Sequence, residues 1–487
     1  MKKIKYIILS LLLIVISISC DNVDFGDTNE NPNGAGDPNT ASLMAGAISR
    51  YSTLSGRDYL NRPTLYVQYQ SQVTYTDESR YNEAASAWGA YFVQTLNNLQ
   101  LVVDISEDPA NHTTVYLSQG APENQIAVAK LMQAIIFKRV TDTWGDIPFT
   151  EALNPEILSP SYDSQSDIYP ALINMVKENR DLMDDSKLGP TGDIIYGGDI
   201  TKWKKLANSL ILQMSLQLSK KFPGASEYAA NEFNSALSNS NGVIESIDDE
   251  AWFTYNADFN NPWTGNRRPD YFLSKEFIDA LKGNGTTSNT TLDNRINIFS
   301  TNPSLEGVPY GYENESGAGR AQMSTLIWTE EAPLPLMTSA YTYLNRADAA
   351  NMGWTSEDVN ALFTSGIEKS YETLNSHYSD GTITADGANT YAASRILNMA
   401  TVSAEQVIAE EKWVALFPSG FDAWAEWRRT EFPTLVPATD YLNSGIIPRR
   451  YVYPTEEATL NESSYNSGVN SLSPSTDNNS SKIWWDQ

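Results

Sequence analysis

Residues that could act as nucleophiles or metal ligands are scarce in this chain. Of its 487 residues, two are histidines, His112 and His377, and one is a cysteine, Cys20. A lone cysteine excludes an internal disulfide and a zinc site built from several thiolates. Neither histidine accompanies a Gly-x-Ser-x-Gly turn, and no phosphate-binding glycine loop of the P-loop or dinucleotide type occurs. The sequence therefore predicts no metal site, no cofactor and no catalytic triad.

Carboxylates are abundant, and a glycoside hydrolase needs only two of them on opposite sides of a sugar. The chain has 60 Asp and Glu against 33 Lys and Arg, a formal net charge of −27. The cluster Asp248-Asp249-Glu250 beside Trp252 is where such a pair would be sought, although clustered acids more often form a solvated surface. A surface glycoside hydrolase stays an alternative. No nucleic-acid partner is expected, because an acidic surface repels phosphates.

Aromatic residues stand among polar ones in two stretches without a regular period, 66–81 and about 245–330. Tyr and Trp rings can stack on the apolar faces of sugars, while Asn, Gln, Asp and Arg side chains hydrogen-bond the hydroxyls at the edges. We expect ligand-binding residues in both stretches, namely Tyr75, Arg80 and Tyr81 in the first and Trp263, Arg267, Tyr310 and Tyr312 in the second. The alternative is that these side chains pack the loops onto the rest of the protein.

Helical periodicity dominates the rest of the chain. Over 124–143 and 404–417, apolar residues recur three or four apart, which is typical of helices with one buried face. Pro418-Ser419-Gly420 should end one helix and begin the next. Glu411 lies on the buried stripe of the first helix, where a carboxylate is costly unless it is paired. Its expected partner is Arg428, or the neighbouring Arg429, on the second helix.

The N-terminus has the features of a lipoprotein signal. Lysines precede an apolar run from Tyr6 to Ile16 that is too short to span a bilayer, and Cys20 follows where an acylated cysteine is placed. We predict a signal peptide over 1–19, a lipid anchor on Cys20 and a flexible tether over 20–40. The remainder, 41–487, is predicted to be one domain. Its last residues, Ile483-Trp484-Trp485, are expected to dock back onto the body.

Four segments resemble the SusD-like (SusD/RagB) family of outer-membrane lipoproteins, in a divergent branch. They are Asn31-Pro32-Asn33, Trp144-Gly145-Asp146-Ile147-Pro148-Phe149, Lys202-Trp203-Lys204-Lys205-Leu206, and Glu410-Glu411-Lys412-Trp413 with Gly420-Phe421-Asp422-Ala423-Trp424. The resemblance implies a mainly all-α fold. It would be an α-solenoid of tetratricopeptide-like helix pairs, with the irregular, loop-rich insertion of about 245–330 forming the ligand face.

The same resemblance implies a function. The protein would sit in the outer membrane facing the cell exterior, without enzymatic activity. It would capture oligosaccharides and pass them to a SusC-like TonB-dependent transporter. A peptide-binding member of the same family, a surface glycoside hydrolase and an adhesive lipoprotein without a small ligand are the alternatives.

Overall fold

Thirteen helices of seven or more residues form the framework of the part of the chain that the structure describes. This structure is a computed structural model, and it describes residues 39–378 and 383–487. The expected signal peptide, Cys20 and most of the tether lie outside the described residues. The helices are α1 (Thr40–Ser52), α2 (Asn97–Glu107), α3 (Pro122–Trp144), α4 (Gln165–Leu182), α5 (Ile200–Gln217), α6 (Tyr228–Leu237), α7 (Lys275–Leu281), α8 (Ser339–Asn351), α9 (Val359–Tyr378), α10 (Ala385–Asn398), α11 (Ala404–Ala415), α12 (Gly420–Thr430) and α13 (Glu462–Ser471).

Shorter helical segments lie between them. The short α-helical turns are Arg62–Tyr66, Gly89–Tyr91, Thr114–Leu117, Ile296–Phe299 and Glu457–Leu460. Two π-helical turns are Arg57–Asn61 and Phe92–Leu96, and the 3₁₀ turns are Pro109–Asn111, Ile247–Asp249, Pro262–Gly265, Arg268–Asp270 and Trp484–Asp486. None of the helices in the two described ranges is long and apolar enough to cross a membrane.

Strands are few and short, and each pairs with one other strand in an antiparallel manner. The strands are β1 (Gln70–Gln72), β2 (Ile147–Pro148), β3 (Tyr162–Asp163), β4 (Ala251–Phe253), β5 (Tyr271–Leu273) and β6 (Leu334–Met337). The pairs are β1–β5, β2–β3 and β4–β6. In the first pair Gln70 is opposite Leu273 and Gln72 is opposite Tyr271. The two irregular stretches predicted from the sequence are therefore joined to each other by hydrogen bonds.

Neighbouring helices pack as pairs. Close contacts join α1 with α2, α3 with α4, α5 with α6, and α8 with α9, and successive pairs touch through α2–α3, α4–α5 and α5–α8. The last pair, α11 with α12, packs on this series through α8 and α5. The arrangement confirms the predicted all-α solenoid of helix pairs. Residues Thr40–Gln487 make one compact unit.

Local sequence signals set the ends of these helices. The first backbone N–H groups of a helix have no acceptor within the helix. At several helix starts the side-chain oxygen of the preceding residue accepts a hydrogen bond from one of them. These capping residues are Ser164 for α4, Asp199 for α5, Ser274 for α7, Thr338 for α8, Thr384 for α10 and Ser403 for α11. The helix expected over 124–143 is α3, which has Pro122 in its first turn and ends at Trp144, before Gly145, where φ is +100°.

The predicted ion pair between Glu411 and Arg428 is absent. Glu411 is fully buried and instead pairs with Arg295, at 2.5 Å, and with Arg395 on α10, at 3.8 Å. Arg295 also binds Asp293, at 2.6 Å. The side chain of Glu411 thus points towards α10 and the insertion, away from α12. Burial, opposed by Arg295, leaves the pKa of Glu411 raised above its ordinary value.

Arg428 is held by main-chain oxygens and aromatic rings. Its guanidinium donates to the carbonyl oxygens of Asp142, at 2.6 Å, and Arg449, at 2.8 Å. It lies 3.8 Å from the centroid of Trp424 and 4.7 Å from that of Trp485. This face of α12 therefore contacts α3 and the C-terminus. Neighbouring residues on a helix point in directions about 100° apart, so the next arginine on α12 faces α8 and α11.

Four buried charged groups join α8, α11 and α12. Lys412 on α11 binds Asp348 on α8 at 2.7 Å, and Arg429 on α12 binds both Asp348 and Glu426, the latter at 2.7 Å. The Tyr341 hydroxyl donates to Glu426 at 2.7 Å. We call Asp348, Lys412, Glu426 and Arg429 the buried quartet. It has no net charge, which is what makes ionised groups tolerable in an interior.

The C-terminus docks on the body, as predicted. The indole N–H of the buried Trp485 donates to Asp142 on α3 at 2.9 Å. Asp486, also buried, accepts from Arg449 at 2.7 Å and from Lys220 at 2.9 Å. These contacts hold the last turn against α3 and the segment after α5, and the turn also packs on α4 and α12.

Because of the buried quartet, we predict that the fold loses stability in acid and that part of this loss is due to Asp348. Burial alone would raise the pKa of Asp348, but Arg429 and Lys412 outweigh it and hold the pKa at about 2, below the ordinary 3.8. A carboxyl with a lowered folded-state pKa stabilises the fold above its unfolded-state pKa and loses that contribution as the pH falls through the folded-state value. We expect Asp348→Asn to be less stable than wild type at pH 7. The difference between the two free energies of unfolding (the gap) should shrink by on the order of 2 kcal/mol between about pH 4 and pH 2.

Urea unfolding followed by circular dichroism at a series of pH values measures this gap. The exposed Asp77→Asn is the matched control, because its carboxyl has only a distant ion pair at 3.8 Å. A gap for Asp348→Asn that stays constant down to pH 2 would contradict the expectation.

Candidate functional site

The strand pair β1–β5 carries the candidate site. The first irregular stretch continues from β1 into a turn, and Val73 N donates to the carbonyl oxygen of Asp270 at 3.0 Å, which extends the pairing. The segment 73–82 that follows is therefore held beside the start of the insertion. Two regions that share only their composition in the sequence come together at one surface.

Tyr75 is the most exposed tyrosine of this surface. Its side chain is 57% exposed and lies between two guanidinium groups, those of Arg57 at 5.6 Å and Arg267 at 5.7 Å from the ring centroid. The backbone φ of Tyr75 is +54°. A positive φ is unusual for a residue with a side chain, and such strained positions concentrate at functional sites. The turn thus presents an aromatic ring to solvent between two cations.

Three loops are tied together at this point. Arg80 donates to the carbonyl oxygen of Asp440 at 2.8 Å and pairs with Glu313 at 3.6 Å. Glu313 N in turn donates to the Asp440 carboxylate at 2.8 Å. The loop that contains Glu313 also carries Tyr312, which is 37% exposed. The loop that contains Asp440 carries Tyr441, which is 52% exposed. We call the surface of these loops with Tyr75 the tyrosine surface. Its basic members are Arg57, Arg80 and Arg267, and its acidic members are Asp77, Glu313 and Asp440.

Three of the predicted ligand-binding residues are not on this surface. Tyr81, Trp263 and Tyr310 are buried. The Tyr81 hydroxyl accepts a hydrogen bond from Ala438 N at 3.0 Å, and its ring packs 6.2 Å from that of Tyr310. Trp263 packs on Trp328 at 5.1 Å. The expectation that these rings lie open to a surface ligand is wrong, because they fill the space beneath the loops.

Sequence reasoning missed two members of the tyrosine surface. Arg57 precedes the first irregular stretch and lies in a π-helical turn. Tyr441 belongs to Asp440-Tyr441-Leu442-Asn443-Ser444-Gly445, which has the same mixture of polar and aromatic residues as the two stretches singled out. The composition of that segment could have identified it as a third candidate for ligand binding. Nothing in the sequence around Arg57 distinguished it.

The acidic cluster considered for glycoside hydrolysis has a structural role. Glu250 is buried and accepts hydrogen bonds from Ser339 N, at 2.9 Å, and from the indole N–H of Trp252, at 2.9 Å. It therefore caps the first turn of α8. Asp249 pairs with Lys205 at 2.8 Å. Burial raises the pKa of Glu250 despite its hydrogen bonds.

The described residues hold no cluster of three or more His, Cys, Asp or Glu side chains that could bind a metal ion. The tyrosine surface instead offers rings, guanidinium groups and amide or carboxylate edges. Such groups stack on flat apolar faces and hydrogen-bond hydroxyls.

The sequence from 32 to 454 matches a SusD-like family described as starch-binding and associating with the outer membrane. The chain belongs to the SusD-like family. The match covers most of the chain, including β1, the insertion and the α11–α12 pair. The family is one of binding proteins.

Solved structures of similar fold agree with this assignment. A chitin-binding protein is 24% identical, with a TM-score of 0.78, and the match covers 92% of this chain and 100% of that one. A SusD homologue from Bacteroides fragilis is 22% identical with a TM-score of 0.76, at the same coverage of both chains. A chitin-binding SusD homologue from Flavobacterium johnsoniae is 18% identical with a TM-score of 0.71, covering 91% of this SusD-like chain and 98% of its own. No curated protein matches the sequence.

The burial of Tyr81 and the exposure of Tyr75 predict opposite effects of truncation. Tyr81→Ala removes a buried ring and its hydrogen bond, so we expect a loss of about 3–5 kcal/mol in the free energy of unfolding. Tyr75→Ala should change it by less than about 0.5 kcal/mol. Chemical denaturation of the two variants beside wild type measures both values. Equal losses would mean that the two rings are packed alike.

Proposed function

We propose that this protein is a cell-surface glycan-binding lipoprotein of the outer membrane. It captures oligosaccharides on the tyrosine surface and passes them to a SusC-like TonB-dependent transporter. The observation that carries the proposal is the exposed ring of Tyr75 between Arg57 and Arg267, in a chain of the SusD-like family. The predicted lipid anchor on Cys20 supports the location.

The geometry suits a chain of sugars better than a single compact ligand. The three exposed tyrosines stand on three separate loops, so a ligand that touches more than one ring must be extended. Each exposed ring can stack on one sugar face, and the arginines can donate to ring and glycosidic oxygens. The ion pairs of Arg80 fix the loops before a ligand arrives, which lowers the entropy cost of binding.

Chitin fragments are the first ligands to test, followed by starch fragments. Two solved structures of this fold are described as chitin-binding, and the family is described as starch-binding. The acidic composition of the chain favours neutral glycans over acidic ones, since a net charge of −27 repels anionic chains.

We expect isothermal titration to find one of these oligosaccharides binding to the full chain. For that ligand Tyr75→Ala and Arg267→Met should each raise Kd about tenfold or more, as loss of an interface residue worth about 1.4 kcal/mol would. The matched control is Leu158→Ala, which removes a side chain that is 93% exposed on a different loop. Unchanged affinity in both site variants would refute the assigned surface. Binding of peptides alone would favour the peptide-binding alternative.

Attachment and transport partnership are tested together in cells. We expect wild-type protein to fractionate with the outer membrane and to purify in mild detergent with a large β-barrel partner. Cys20→Ala should lose most of its attachment to the membrane, because the acylated cysteine is the predicted bilayer anchor and the transporter is the one other predicted contact. Thr28→Ala, in the tether, is the control and should remain attached. A variant lacking Cys20 that stays on the outer membrane, or a wild type that purifies alone, would contradict the respective part of the proposal.

A further inference from the structure

Three asparagines of this chain directly precede a glycine, namely Asn33, Asn241 and Asn284. Asn33 lies outside the described residues. The other two lie in loops that follow helices, Asn241 after α6 and Asn284 after α7. These two differ in exposure and in hydrogen bonding. The difference bears on a reaction that an Asn-Gly pair undergoes without an enzyme.

In this reaction the backbone nitrogen of the glycine attacks the side-chain carbonyl carbon of the asparagine. A bond forms between that nitrogen and Cγ, the bond from Cγ to Nδ2 breaks, and ammonia leaves with the proton of the glycine N–H. Water then opens the five-membered imide at either carbonyl, which gives aspartate or isoaspartate. Glycine favours the reaction, because it has no side chain to shield the nitrogen and its backbone reaches many conformations. The glycine N–H and the asparagine amide must both be free of other hydrogen bonds.

Asn284 meets these conditions. It is exposed, and its side-chain amide makes no hydrogen bond to any described residue. Within the described ranges, the N–H of Gly285 also has no acceptor. The backbone N–H of Asn284 donates to the carbonyl oxygen of Asp279 on α7 at 2.9 Å. The main chain before the reacting pair is therefore fixed, while both reacting groups are unoccupied.

The end of α7 explains why a glycine follows Asn284. Gly283, with φ of +74°, ends the helix, and the next N–H reaches back to the last turn, which is a common way to end a helix. The chain then passes close to α7, because a Cβ at Gly285 would lie 2.7 Å from the backbone nitrogen of Ala280. Packing thus requires a glycine at the position whose nitrogen can attack Asn284.

Asn241 is the contrasting case. The N–H of Gly242 donates to the carbonyl oxygen of Asn239 at 2.9 Å, so the attacking nitrogen is occupied. The side-chain amide of Asn241 donates to Oδ1 of Asn239 at 2.9 Å. The carbonyl oxygen of Gly242 accepts from Asn208 at 2.6 Å, which holds the turn on α5. Cyclisation at Asn241 would first have to break hydrogen bonds that Asn284 does not make.

We propose that Asn284 is a modification site that converts spontaneously to isoaspartate and aspartate in the folded protein, while Asn241 is protected. Either product adds a negative charge at the C-terminal end of α7, where the helix dipole is also negative. Isoaspartate in addition lengthens the main chain by one methylene group. The loop that carries this change continues to Ser288, whose N–H donates to Glu410 on α11 at 3.0 Å. The modification therefore acts on a loop that joins the insertion to α11, independently of any ligand.

Peptide mapping by mass spectrometry tests the proposal on the full chain. Folded protein and protein in guanidinium chloride are incubated side by side at neutral pH, until Asn284 has reacted in the denatured sample. In the folded sample we expect conversion at Asn284 to be about tenfold or more faster than at Asn241, because hydrogen bonds must break at the latter. In the denatured sample the two rates should be similar. Asn33 is mapped separately, and Asn284→Gln should remove the signal at its own position.

The comparison of Asn284 with Asn241 lies within one wild-type sample, so it does not depend on the folding of a variant. Anion-exchange chromatography of the aged folded protein should show a later-eluting fraction, which is enriched in the modified Asn284 peptide. The proposal is overturned if Asn284 stays intact in the folded chain while it reacts in the denatured one. It is also overturned if Asn241 reacts in the folded chain as fast as Asn284.

Discussion

The fold depends on neutralising the ionised side chains that α8, α11 and α12 bury between them. In the buried quartet two acids and two bases from α8, α11 and α12 neutralise one another. Removing one partner of such a group leaves a buried charge uncompensated, which typically costs about 3–5 kcal/mol. The three helices are therefore held in one register, since sliding any of them by a turn would separate the charges. A second buried group, Glu411 with Arg295 and Arg395, ties the insertion to α10 and α11 in the same way.

The position of the candidate site follows from that register. Once α12 is fixed on α8 and α11, its first turn places the ring of Phe421 against Arg139 on α3. Its opposite end leads into the segment that supplies Ala438, Asp440 and Tyr441 to the loops near Tyr75. The helical body positions loops that contain little regular structure, and binding residues commonly lie on loops held by such a scaffold.

The helical body was predictable because its signal is local. Residues such as Val128, Leu131 and Ile135 repeat at the helical period within one segment. The expected return of the C-terminus rested on a similarly local signal, paired tryptophans after a polar run.

The partners of single side chains were not predictable, because they are distant in the chain. Tyr75 and Tyr81 lie in the same polar stretch, but Tyr81 is buried by contacts that include Ala438, 357 residues away. Glu411 takes Arg295, 116 residues away, although Arg428 is closer in sequence. Composition singled out the two stretches that β1 and β5 join, while the exposure of each residue within them depended on tertiary contacts.

The docked C-terminus has a consequence for biogenesis. Trp485 contacts Asp142 on α3, and Asp486 contacts Lys220 just after α5, so both partners are made in the first half of the chain. Domains generally fold as their residues leave the ribosome, N-terminal parts first. Here the buried contact between Trp485 and Asp142 joins residues that are 343 positions apart, so it can form only long after α3 has been made.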